Sequence, residues 1–475
     1  MAIPKEKNVL EKFLSLFTEV RSGEGIWAIL LALNIFLILT SYYIVKPVRE
    51  ALILAGGGAE IKSYTSAGQA ILLLVLIRLY AMLADRFPRR RLINVVTLFF
   101  VACLVLFYFL ALAGVSLGVI FFLWVGIFNL MVPAQFWAFA NDIYTPEIGK
   151  RIFVIIAFGA SAGAVLGGIL TDLLIEPLGV YQLLLVAGAL LFFSLLLTNM
   201  VELKSRKRPF GKKTGQPENA EMPFKKGGAF RLVFNTKYLL FIALLMMFLN
   251  WVNTTGEYIL GKTVQRTAEE LAATPEVLDQ ADQYALEQSG TGEIDLTGEP
   301  GALQSRYIQE YTEEYIGNFY AKFFTVVNIA GLLLQLFIVS RILKYFGVRI
   351  ALLILPFIAL GGYFIMAFFP ILSIIRYVKT AENSTDYSLQ NTVRQVLFLP
   401  TTREQKYKAK QATDTFFWRA GDVLSAVLVY AGTTWLAFDT RHFALTCCGL
   451  VIVWLVLAVL IGMEHKKLTA FPEPA

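Results

Sequence analysis

Apolar residues gather along this chain into long runs, and polar clusters interrupt them at intervals. Twelve runs approach or exceed the roughly 20 residues a helix needs to cross a ~30 Å hydrocarbon core. They fall at 26–48, 62–83, 92–113, 117–139, 150–173, 179–199, 237–259, 316–340, 348–369, 371–389, 412–436 and 442–463. Hydrocarbon offers no water to peptide groups, so each run predicts a helix that satisfies its own backbone. A weaker pattern precedes them. Leu10, Phe13, Leu14 and Phe17 recur among lysines and glutamates over residues 5–20. That spacing suits an amphipathic helix on a membrane surface, and a solvated tail suits it equally.

The polar interruptions alternate in character. Lys and Arg crowd the N-terminal segment, Arg86 to Arg91, Lys150-Arg151, the 200–237 stretch, Arg341 to Arg349, 403–410 and Lys466-Lys467. The loops near 115, 175, 370 and 438 are poor in bases. Basic loops stay on the cytoplasmic side, so both termini are expected there. The resulting plan is a cytoplasmic segment at 1–25, a six-helix half at 26–199, a basic linker at 200–236, a second half at 237–463 and a tail at 464–475. Gly, Pro and Glu between the linker charges predict a flexible tether. A second interruption, 262–315, is acidic, with Glu269, Glu270, Glu276, Asp279, Asp282, Glu287, Glu293, Asp295 and Glu299, and is expected to face outward. It suits a lid or a partner surface, with a decorated loop without a role as the preferred reading, and helical spacing is regained over 303–320.

Composition agrees with an all-α membrane protein. Mean hydropathy is +0.63, and 57% of residues are hydrophobic against 16% charged. The net charge of +7 is accounted for by the inner-face loops and calls for no nucleic-acid partner. Cys103, Cys447 and Cys448 all lie inside predicted spans, where a disulfide framework is not expected. His442 and His465 share no ligand spacing with acids or thiols, so no metal site is indicated. No nucleophile–base arrangement points to an enzyme, and nothing calls for a cofactor.

Three features carry candidate chemistry. Gly159, Gly163 and Gly167 are four apart on the fifth span and allow close approach of another helix. Gly256-Glu257-Tyr258-Ile259-Leu260-Gly261-Lys262-Thr263 spells the phosphate-loop pattern, but that loop must leave a strand and open a helix. Here it closes a membrane span, so the match is discounted. Charges inside spans are costly and usually face a cavity or a partner. They are Lys46, Arg49 and Glu50 on the first span, with Asn141 ending the fourth, and Asn253 and Glu257 on the seventh. Arg376, Lys379, Glu382 and Asp386 lie on the tenth, and Asp414, Arg419 and Asp422 on the eleventh. Snorkelling to an interface is the plain alternative for Lys46 and Arg49. A cationic set of this kind suits phosphate or carboxylate, which arginine holds bidentately. The expected substrate-contacting set is Lys46, Arg49, Glu50, Asn141, Asn253, Glu257, Arg376, Lys379, Asp386 and Arg419.

The loop Ala84-Asp85-Arg86-Phe87-Pro88-Arg89-Arg90-Arg91, after the second span, resembles the signature loop of the major facilitator superfamily. A counterpart, Ser340 to Arg349, follows the eighth span. The resemblance implies twelve helices in two six-helix halves, and a gating role for Asp85, Arg86, Arg89, Arg90, Arg341 and Lys344. A second resemblance is narrower. Tyr387, Ser388, Leu389, Arg394, Phe398, Pro400, Glu404, Lys406, Lys408, Lys410 and Asp414 match a stretch of the ATP/ADP translocases of plastids and intracellular bacteria, a branch of that fold. Phe136 to Asn141 and Gly149-Lys150-Arg151 resemble its fourth-helix ending, and Lys46, Arg49 and Glu50 its first-helix charges. Where energy-exchanging members carry an acid on the fourth helix, an acid on the seventh and a lysine on the eleventh, this chain has Val125, Asn253 and Asp422. Fold and anion preference therefore carry over better than strict ATP-for-ADP exchange. The resemblance implies a divergent bacterial transporter of the inner membrane. It would exchange or symport ATP, ADP or another phosphorylated anion by alternating access. A facilitator for another organic anion or a drug is the second reading, and a non-transporting membrane sensor or scaffold the third. Oligomeric state is not legible.

Overall fold

The structure, a computed structural model, describes residues 21, 24–86, 88–144, 146–207, 229–289, 300–402, 405 and 409–470. The predicted amphipathic segment at 5–20, the linker between 208 and 228, and 290–299 of the insertion lie outside these residues. The helices are α1 (Gly25–Arg86), α2 (Arg89–Leu112), α3 (Gly118–Ile143), α4 (Pro146–Leu178), α5 (Gln182–Lys207), α6 (Ala229–Asn235), α7 (Lys237–Ala272) and α8 (Pro275–Ser289). They continue with α9 (Pro300–Leu334), α10 (Ser340–Tyr345), α11 (Gly347–Phe368), α12 (Leu372–Thr385), α13 (Asn391–Leu397), α14 (Lys410–Ala412), α15 (Trp418–Thr434) and α16 (Thr440–Ala470). Among the described residues, π-helical turns are inserted at Gln335–Val339, Asp386–Gln390 and Thr413–Phe417.

Among the described residues, nine helices are long and apolar enough to cross a membrane. The difference from the twelve predicted runs has physical causes. The first two runs share α1, which bends without ending. The bend is at Gly58, whose φ of 82° only glycine adopts cheaply. The amide of Ala59, beside the bend, is satisfied by Gln265 Oε1 at 3.0 Å. The tenth and eleventh runs are helical too, but π turns and polar residues shorten their apolar stretches. Within 262–315, the expected loop is largely helix in its described part: α7 runs on to Ala272, α8 follows, and α9 begins at Pro300. Residues 303–320 extend the eighth span as their spacing predicts.

The chain forms two compact units. The first comprises residues 1–51, 76–222 and 320–325. Its helices pack through small and polar groups, as membrane helices must when apolar surface gives no net gain over lipid. A Cβ on Gly163 would run into the carbonyl of Phe36 on α1, so this glycine sets how closely α4 approaches. Thr40 Oγ1 donates to the Gly163 carbonyl at 3.2 Å. On the other flank of α1, Asn34 donates to Thr198 Oγ1 at 2.6 Å and Ser41 to the Ala187 carbonyl at 2.8 Å, both on α5.

The second unit comprises residues 52–75, 223–319 and 326–475. Here α7 packs on α15 and α16, α11 on α16, and α12 on α7 and α11. Gly421 meets the α7 backbone so closely that an added Cβ would lie 2.8 Å from the Met247 carbonyl oxygen. The α8 segment lays Val277, Ala281 and Ala285 inward, one apolar stripe at helical spacing. Its polar side is tied to α9 by Tyr307–Gln280 and Gln304–Asp282 hydrogen bonds of 3.1 and 2.9 Å.

Candidate functional site

Helix α7 carries two polar stripes because its Asn, Thr and Glu residues recur three and four apart. One stripe faces α15. Asp422 there accepts from Asn250 Nδ2 at 2.8 Å and Thr254 Oγ1 at 2.9 Å, and Arg419 lies 3.2 Å away. The other stripe faces α12. Lys379, with its side chain wholly buried, donates to Asn253 Oδ1 and Glu382 Oε2, each at 2.9 Å, and lies 3.5 Å from Glu257 Oε1. Asn383 Nδ2 donates to that same Glu257 oxygen at 3.0 Å. Tyr363 of α11 donates toward Glu382 at 3.1 Å. Gly256 makes room for this: a Cβ there would sit 2.9 Å from Lys379 Nζ. The phosphate-loop lookalike thus lies within a continuous helix, and its first glycine serves packing.

Beyond the α12 cluster, the π turn Asp386–Gln390 leads into a cationic pocket of about 260 Å³. Met246, Asn391, Arg394, Gln395, Lys410, Asp414, Trp418 and Arg419 line it. That is three cations against one carboxylate. The Arg394 guanidinium lies 4.7 Å over the Trp418 ring and 3.9 Å from Asp386. Two π turns, Asp386–Gln390 and Thr413–Phe417, each immediately precede residues that line the pocket. Such turns re-aim side chains and recur at functional sites. A larger cavity, about 840 Å³, lies among Glu60, Tyr258, Lys262, Arg266, Phe438 and Arg441. Its Lys262 and Arg266 are already paired with Glu60 and Glu270, at 2.9 and 2.8 Å. Counted over the residues that line each, the larger cavity balances three bases with Glu60, Glu270 and Asp439, while the smaller pocket keeps two bases in excess.

The remaining expected residues are placed as follows. In the first unit, Lys46 lies 3.7 Å over Phe324, and Arg49 lies 4.6 Å over Phe122 and pairs with Glu50. Both bases sit inside α1 rather than at a helix end, and Arg49 is only 14% exposed. Asn141 is exposed. In the second unit, Asn253, Glu257 and Lys379 meet in one cluster, Arg376 lies 5.6 Å over Phe319, and Asp386 and Arg419 flank or line the cationic pocket. Of the expected gating set, Asp85, Arg86 and Arg89 have side chains outside the described residues. Arg90 donates to Asn199 at 3.2 Å, Arg341 to the carbonyl of Phe337, and Lys344 lies 5.5 Å over Tyr345.

Sequence reasoning leaves Tyr363, Glu382, Asn383, Arg394, Lys410 and Trp418 unassigned. The Lys379–Glu382 spacing of three is a signal that could have found one pair. Nothing in the spacing brings Arg394 to Trp418, because a loop, α14 and the π turn Thr413–Phe417 lie between them.

Residues 28–259 match the family model of the Major Facilitator Superfamily. No curated protein sequence matches the chain. Solved structures do. A POT family transporter in complex with 5-aminolevulinic acid aligns with TM-score 0.58 at 13% identity, over 92% of this chain and 96% of its own. The nucleoside transporter NupG aligns with TM-score 0.57 at 11% identity, over 94% and 99%. The D-xylose-proton symporter aligns with TM-score 0.56 at 12% identity, over 93% and 98%. The chain has the transporter fold of the major facilitator superfamily and is an integral multi-pass membrane protein.

Proposed function

We propose that the protein transports a small organic anion bearing phosphate or carboxylate groups, a nucleotide being the first candidate, by exchange or symport through alternating access. The cationic pocket of Arg394, Lys410 and Arg419 beside Trp418 is the observation that supports this reading. Arginine pairs suit the planar forks of carboxylate and phosphate, and an indole face suits a flat ring. At about 260 Å³ the pocket is smaller than the roughly 300–1,000 Å³ of sites that enclose drug-sized ligands. It would therefore hold the charged end of a substrate. Lys46 and Arg49 are proposed as further contacts along the pathway, and Asp85 with its arginines as a cytoplasmic gate. ADP, AMP and inorganic phosphate should raise the thermal unfolding temperature of the purified protein, because a ligand of the native state adds RT ln(1 + [L]/Kd). Adenosine should raise it far less. Equal shifts with adenosine and ADP would sink the anion reading.

Both termini and the linker are proposed to be cytoplasmic and the 262–315 insertion exterior, in a bacterial inner membrane. In a background without native cysteines, Gln283→Cys should react with an impermeant maleimide added outside, and Thr214→Cys should not. The reverse pattern would overturn the orientation.

A further inference from the structure

The larger cavity, about 840 Å³, belongs wholly to the second unit and shares no lining residue with the cationic pocket. Its volume lies in the range of sites that enclose drug-sized ligands. One wall is the stem of the acidic insertion. Ile259, Lys262, Thr263, Arg266, Thr267 and Glu270 recur three and four apart, so they share one face of α7 as it runs on past its apolar stretch. The floor is apolar. Tyr258 and Phe443 are at most 5% exposed and meet edge to face at 5.0 Å, and Phe438 meets Phe443 in the same way at 5.5 Å. Pro370, Ile371 and Leu372, where α11 gives way to α12, continue the apolar lining. Phe438 reaches this lining through a costly turn. Ala437 before it has a φ of 49°, a left-handed conformation that alanine rarely adopts. The Phe438 amide donates to the Gly432 carbonyl at 2.8 Å and holds the turn. Strained backbone of this kind gathers at ligand sites.

The charges of the cavity are unequally engaged. Glu60 accepts from Tyr258 and pairs with Lys262, each at 2.9 Å. Arg266 pairs with Glu270 at 2.8 Å, and Asp439 accepts from the amide of His442 at 3.0 Å. Arg441 stands apart. Its guanidinium lies 5.6 Å over Phe368, and among the described residues no carboxylate pairs with it. A ring contact does not use its N–H donors as a carboxylate would.

We propose that this cavity binds an amphiphilic monocarboxylate, with the carboxylate on the Arg441 fork and an apolar body against Phe438, Phe443 and Ile371. One guanidinium offers one bidentate fork, which matches one carboxylate. A phosphate dianion would bring a second negative charge among Glu60, Glu270 and Asp439. A cation would compete with Lys262 and Arg266 for carboxylates they already hold. The stem of the insertion thereby gains a role as one wall of a ligand site.

Equilibrium binding of radiolabelled phenylbutyrate to the full chain in phosphatidylcholine nanodiscs tests the site, with empty discs as the blank. Wild type should bind it saturably. The uncharged phenylbutyramide and the short acid acetate should compete far less well. Arg441→Gln should weaken binding roughly ten- to a hundredfold, the effect of losing a charge-assisted contact, and Arg441→Lys should recover part of it. Arg441 is exposed, so neither variant threatens the fold. Arg394→Ala should leave phenylbutyrate binding unchanged, since Arg394 lines the other pocket. Absence of saturable binding, or equal affinity in wild type and Arg441→Gln, overturns the proposal. So does loss of binding in phosphatidylglycerol discs, which would make a lipid headgroup the occupant. If ADP fails to bind while phenylbutyrate behaves as expected, the nucleotide reading fails and this site stands.

Discussion

Lys379→Met should cost about 3–5 kcal/mol of stability at neutral pH, the penalty typical of removing one partner from a buried ion pair. The substitution leaves Glu382 and Glu257 facing each other beside Tyr363 with their shared cation gone. Methionine fills similar volume, so the loss would be electrostatic rather than a cavity effect. The sign of the pH dependence separates the two. Carboxylates deprived of their cation hold protons more tightly in the folded state than in the unfolded one, so stability should recover as pH falls. Chemical denaturation of the variant at pH 5 and pH 8 checks this. A pH-independent loss would indicate a packing defect, and no loss would show that the cluster is not electrostatically strained. Glu382→Gln should be much milder, because Lys379 keeps Glu257 and Asn253.

The second large effect is on ligand affinity. Arg394→Ala should weaken binding of ADP or phosphate by roughly ten- to a hundredfold, since a hydrogen bond to a charged group contributes about 1.5–3 kcal/mol. Arg394→Lys should recover part of this, because the charge remains while the planar fork is lost. Arg394 also lies 3.9 Å from Asp386, so the ligand-free unfolding temperature must be measured alongside. Titration calorimetry of wild type and both variants provides the affinities. Unchanged affinity in Arg394→Ala, with the fold intact, would remove the pocket from the substrate path. A uniform fall in unfolding temperature with normal affinity would give Arg394 a purely structural role.

The two sites differ in how far their residues announce themselves. Lys379 and Glu257 are visible in the sequence because a charge inside an apolar run has few reasons to be there. Arg394 and Lys410 sit where the apolar pattern has already ended, and basic residues in such segments ordinarily report only topology. They match the translocase stretch, yet the match by itself does not say that they line a pocket with Trp418 and Arg419.

Hydrophobic periodicity was enough to determine that this is an all-α membrane protein, where most helices begin and end, and which polar residues must be buried at a cost. Those properties follow from length and local composition, since a spanning helix satisfies its own backbone. Glycine spacing on α4 was enough to indicate close packing, and Gly163 lies against Phe36. The tertiary structure decided what spacing does not encode. It made α1 continuous through a bend at Gly58, turned most of the described acidic insertion into helices, and rotated side chains by π turns. It alone decided which acid each buried base meets. Lys379 reaches Glu257 across 122 residues of sequence because α7 and α12 pack together. That pairing depends on packing between helices, and no periodicity within either helix specifies it.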